Sequence, residues 1–95
     1  MVKKNRIARS ADSNDPEDFD VTREGMERAL KSRAIRMART GLGLSQEEFA
    51  SRFRVPVGTL RDWEQARVTP PDFADAYARV IAVMPEKVAE IVNAA

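Results

Sequence analysis

Apolar residues along this chain recur at spacings of three and four rather than two, and that period predicts helices throughout. Downstream of Thr22, the side chains of Met26, Leu30, Ala34, Met37 and Ala38 form one stripe, widened by Ile35. Thr22 suits an N-cap with Glu24 close behind, and Gly41 or Gly43 ends the helix after Thr40. A break near Lys31-Ser32 would divide it in two. Ser45 with Glu48 three residues later makes a capping box, and Phe49, Ala50 and Phe53 then share one helical face. Val55-Pro56 breaks that helix, and Pro56 fits the first turn of the next, whose inward side is Leu60 and Trp63. Thr69-Pro70-Pro71 is a rigid link into a fourth helix, Asp72 to Val83, with Phe73, Ala76, Tyr77, Val80 and Ile81 apolar. Pro85 opens a fifth, Glu86 to Asn93, carrying Val88, Ile91 and Val92 on one side. The predicted heart of the core is Phe49, Phe53, Val55, Leu60 and Trp63, with small Ala50 where the two short helices cross.

Composition agrees and narrows the choices. The 95 residues make one small domain, and 43% apolar content gives it only a thin core, which dimerisation would help. Few Gly and Pro residues, with many Ala, Arg and Glu, argue for an all-α fold: a compact bundle of about five helices. The chain has no Cys and no His, so it lacks a thiol nucleophile, a disulfide frame and the commonest general base and metal ligand. With no glycine-rich phosphate loop or metal-spaced cluster either, neither an enzyme nor a cofactor or metal site is expected. Nothing reads as a signal peptide or as the roughly 20 apolar residues of a membrane span, which predicts a soluble cytoplasmic protein.

The net charge of +1 hides an alternation. Lys3, Lys4, Arg6 and Arg9 are followed by the acidic block Asp12, Asp15, Glu17, Asp18 and Asp20, and then by Arg23, Arg28, Lys31, Arg33, Arg36 and Arg39. Separate binding surfaces fit this better than one uniformly basic protein. Residues 1–21 have too little apolar surface to offset the entropy of ordering, which predicts a flexible, charged N-terminal arm ahead of a domain over 22–95.

Residues 45–65 thus read as two short amphipathic helices meeting at a tight corner, a helix-turn-helix whose second member enters the DNA major groove. The run Leu44-Ser45-Gln46-Glu47-Glu48-Phe49-Ala50, then Val55, Thr59-Leu60 and Trp63-Glu64, resembles the XRE (Cro-type, phage-repressor-like) family of DNA-binding proteins. The resemblance runs from about Ile35 to Pro71, and implies a lambda-repressor-like bundle. Within the family, Gly58-Thr59-Leu60-Arg61-Asp62-Trp63-Glu64-Gln65 is most similar to HigA-type antitoxins of toxin–antitoxin pairs. The family pattern also implies a partly buried, structural pair between Arg39 and Glu64. Two departures stand out: Arg54 and Ala66 occupy corners where the family usually has Gly, and a side chain at positive φ costs roughly 1 kcal/mol.

For DNA, Gln46 at a helix start suits a phosphate. Val57, Gly58, Thr59, Arg61 and Asp62 are expected on the outward face, with Arg61 the best reader because its fork matches guanine O6 and N7. Asp62 either accepts from a cytosine amino group or orients Arg61. Arg36, Arg54, Arg67 and Thr69 are candidate phosphate contacts. Helix 85–94 offers an aliphatic side to a symmetry mate, and a homodimer would demand a palindromic double-stranded operator. The antitoxin resemblance implies a small basic ribonuclease toxin held by the N-terminal third, with Phe19, Val21, Met26 and Leu30 as anchors. The alternatives are a stand-alone transcriptional regulator, and a protein-interaction module that kept the shape but lost DNA binding.

Overall fold

The computed structural model describes residues 22–95, and it contains five helices and no strand among them. They are α1 (Arg23–Gly41), α2 (Gln46–Phe53), α3 (Val57–Glu64), α4 (Asp72–Val83) and α5 (Pro85–Val92). The all-α bundle expected from the apolar period is therefore present. The arm over 1–21, with Phe19 and Val21, lies outside the described residues.

Local chemistry sets most of the helix ends. The Thr22 hydroxyl accepts the Gly25 N–H at 3.0 Å and opens α1. At α2 the capping box is complete: Ser45 Oγ accepts the Glu48 N–H at 3.0 Å, and Glu48 Oε1 accepts the Ser45 N–H at 2.8 Å. α1 runs unbroken through Lys31-Ser32 to Gly41 and is closed by Gly43, whose φ of 72° lets Leu44 N–H reach back to Arg39 C=O. The same left-handed closure ends α2 at Arg54 (φ 61°) and α3 at Ala66 (φ 57°), the two corners where glycine is missing.

Phe53, Leu60 and Ile81 are fully buried, each contributing about 1.5–3 kcal/mol by leaving water. Ile35, Phe49 and Ala50 close around them, with Ala74 and Ala78 from α4 and Val88 from α5. Val55 and Trp63 are only half-buried and pack on the edge of this core rather than at its centre. The Trp63 ring meets Phe73 edge-on at 6.4 Å between centroids. Tyr77 Oη donates to the Phe53 carbonyl at 2.8 Å, fixing α4 on the end of α2.

Three stripes face differently from the apolar pattern. On α1, Gly25, Ser32, Ile35 and Ala38 point inward, while Met26, Leu30 and Met37 are 58%, 66% and 54% exposed. The small residues let α4 and α3 approach, and the flanks of the contact are filled by long basic side chains. Arg28 Nε donates to Thr69 Oγ1 (3.2 Å), and Lys31 Nζ meets Asp72 (2.6 Å) and Glu27 (2.9 Å). On α4 the inward residues are Ala74, Ala78 and Ile81, with Tyr77 half-buried, whereas Phe73, Ala76 and Val80 are exposed. On α5, Val88 is inward but Ile91 is exposed. On α1 and α4 small residues take most of the inward positions, with Ile35 and Ile81 buried among them.

Candidate nucleic-acid interface

α3 owes its orientation to two buried residues four apart, Leu60 and Glu64. Leu60 is apolar and settles into the core. Glu64 is a carboxylate with 3% of its side chain exposed, so it must be fully bonded to be buried. Its Oε2 accepts Arg39 Nε at 2.7 Å, and its Oε1 accepts Arg39 Nη2 at 2.8 Å and the Gln46 amide nitrogen at 3.1 Å. Arg39 Nη1 donates in turn to the Leu44 carbonyl at 2.9 Å, and the hydrogen bonds to Glu64 hold its guanidinium above its ordinary, already high, pKa. Arg36 Nη1 adds a bond to the Glu64 carbonyl at 3.0 Å, meeting an orphan acceptor at the end of α3. This lock fixes both the rotation of α3 and its distance from α1.

With Leu60 and Glu64 turned in, Gly58, Arg61, Asp62 and Gln65 fall at i, i+3, i+4 and i+7 on the other side of α3. A Cβ at Gly58 would meet nothing within 4 Å, so this stretch of backbone stands open to a partner. Thr59 is half-buried beside it. Arg61 has 40% of its side chain exposed; its Nη2 pairs with Glu47, and its Nε donates to the Gln46 Oε1 at 3.3 Å.

Several expected roles change. Val57 is half-buried and packs against the core instead of facing outward. The Gln46 amide is engaged on both sides, by Glu64 and Arg61, and only one orientation of its oxygen and nitrogen satisfies both. At the start of α2 the Glu48 carboxylate already takes the Ser45 N–H, which holds its pKa below the ordinary 4.5. Asp62 pairs with Arg67 (2.9 Å), not with Arg61. Thr69 is tied to Arg28, and Arg54 is exposed at the left-handed corner. Sequence reading missed Glu47 altogether. Its partner lies 14 residues on, across the corner, where no periodicity connects them.

Two short helices, the second locked to present an outward stripe with an arginine at its middle, define a helix-turn-helix. A model of the helix-turn-helix domain matches residues 25–91, and the chain belongs to that family, in its XRE/Cro-like form. It is a DNA-binding domain. No curated protein and no solved structure matches the chain. Among the described residues, no helix is long and apolar enough to cross a membrane.

Proposed function

We propose that this protein is a sequence-specific transcriptional repressor that binds a palindromic operator as a homodimer and controls its own operon. The observation that carries the reading is the outward stripe of α3, with Gly58 for close approach and Arg61 for a guanine edge. Exposed Arg54 and Arg67 lie at the two ends of α3 for phosphates, and Thr59 stands between. The exposed side of α5, with Ile91, is the surface assigned to the symmetry mate. Arg61→Ala is expected to weaken operator binding by about 1–3 kcal/mol and relax the choice at one base pair. Fluorescence anisotropy on duplexes from the upstream region tests this; a variant that discriminates as the parent does removes Arg61 as reader.

A second reading adds an antitoxin role, in which the N-terminal third holds a small basic ribonuclease. What favours it is the exposed apolar stripe of Met26, Leu30 and Met37 on α1, directly after an arm that carries Phe19 and Val21. Exposed apolar stripes of this spacing suit a partner's groove. Because Leu30 is outward, Leu30→Asp leaves the fold intact and should abolish co-purification with the product of a neighbouring small gene. Equal recovery by the variant and the parent would leave the stand-alone repressor.

A further inference from the structure

We infer that Glu47 is a positioning residue for Arg61 and sets how selectively that arginine reads DNA. This rests on the DNA-binding reading above and assigns a role to a residue outside the α3 stripe. The guanidinium has two usable edges. The side edge, Nε with Nη2, is taken: Gln46 Oε1 accepts from Nε, and Glu47 Oε2 accepts from Nη2. No described residue bonds Nη1, so the end edge, Nη1 with the second Nη2 hydrogen, is left as a fork of two parallel donors. That fork matches O6 and N7 of guanine.

Two consequences follow from the charge and place of Glu47. It stands in the first turn of α2, where the helix dipole favours a carboxylate, so it is held at the position from which it faces Arg61. With 67% of its side chain exposed beside Arg61, its charge also stands open to whatever approaches that arginine. A phosphate reaching for Arg61 must come up against that carboxylate. A guanine edge brings no net charge and needs none of the donors that Gln46 and Glu47 hold. The arrangement therefore discourages the sequence-independent contact and leaves the base contact available. Free of Glu47, the same arginine would swing to phosphate and bind any sequence.

The test uses full-length protein and two probes, a random-sequence 20-bp duplex pool and the tightest duplex that the parent recovers from it. Glu47→Gln keeps the size and exposed position of the side chain but removes the charge. It should bind the random pool about fivefold more tightly, the size of one exposed ion pair, without gaining on the selected duplex. The ratio of the two affinities then falls by about fivefold. In an Arg61→Ala background, Glu47→Gln should leave the ratio unchanged, because its effect passes through the arginine. If Glu47→Gln tightens both duplexes equally, or shifts the ratio as much without Arg61, Glu47 is a general phosphate repeller and the inference fails while DNA binding stands. If the parent itself recovers no preferred duplex, the repressor reading fails and takes this inference with it.

Discussion

Arg39 gives its Nε and Nη2 edge to one carboxylate, that of Glu64, whereas Arg61 divides the same edge between the Gln46 amide and Glu47. The chemistry is alike and the settings are opposite. Glu64 is buried between α1, α2 and α3, where losing water is expensive, and three side-chain donors meet its two oxygens. Glu47 and Arg61 remain in contact with water, which competes for every bond they make. One pair holds the helices in place and cannot be exchanged; the other is loose enough to be rearranged by a ligand. Gln46 touches both, with its nitrogen on Glu64 and its oxygen on Arg61. The rigid lock thus ends one side chain away from the adjustable contact.

The largest effect should come from removing half of the lock. Glu64→Ala leaves the Arg39 cation, only 16% exposed, without its carboxylate and the Gln46 amide without an acceptor. About 3–5 kcal/mol of stability should be lost, a large part of the 5–15 kcal/mol typical of a domain. Urea unfolding measures it directly. Replacing both partners, Arg39→Met with Glu64→Leu, should recover much of the loss, since neither charge is then buried alone. A cost below about 1 kcal/mol for Glu64→Ala would mean that the two pairs do not differ in kind.

Gln46→Ala tests the junction. It deletes one hydrogen bond to a buried carboxylate and one from a half-exposed guanidinium, and should cost about 1–2 kcal/mol. Its loss should also be smaller in the Glu64→Ala background, because the stronger of the two bonds is already gone. Additive losses in that double-mutant cycle would show that the amide merely lies nearby.

What the sequence revealed follows the reach of each interaction. The Ser45–Glu48 box, the Thr22 cap, Gly43, Pro56 and Pro85 act within three or four residues, so their spacing announces the helix ends. The facing of α1 was not legible in the same way. Arg28, Lys31 and Arg39 settle against the bundle only because Thr69, Asp72 and Glu64 receive them, 41, 41 and 25 residues away. An apolar count ranks Met26, Leu30 and Met37 above them and so rotates the helix the wrong way. The Arg39–Glu64 pair was expected from a family resemblance, not from spacing. Glu47 lies beside a residue that was singled out, yet its partner could be found only once α2 and α3 had been set against each other.

Glu47→Gln should change folding stability by no more than about 0.5 kcal/mol, well below either substitution above. Thermal unfolding at low and moderate salt sharpens the point, since whatever small difference exists should shrink as salt screens it. A loss of 2 kcal/mol would move this pair into the same class as the buried one.

The smallest effect separates Glu47 from its neighbour. Glu48 closes on Ser45 and not on Arg61, and the Ser45 backbone N–H and then hydroxyl hold its pKa below 4.5. Asp72 is likewise held below 3.8 by its hydrogen bond from Lys31. A carboxyl whose pKa is lower in the folded chain adds stability above its unfolded value and loses it as pH falls through the folded one. Arg39 has the opposite sign: its pKa is raised, so its contribution is complete everywhere below its ordinary value, and acid leaves the cation intact. The unfolding midpoint should therefore stay level from pH 7 to about 5 and decline only below 4.5, where Glu48 begins to take up its proton in the unfolded chain. Glu48→Gln should flatten the upper part of that decline, because an amide still accepts the Ser45 N–H but has no proton to gain. If the decline keeps its full depth in that variant, Glu48 contributes nothing through its charge, and the acid sensitivity belongs to Asp72 and its bond from Lys31 instead.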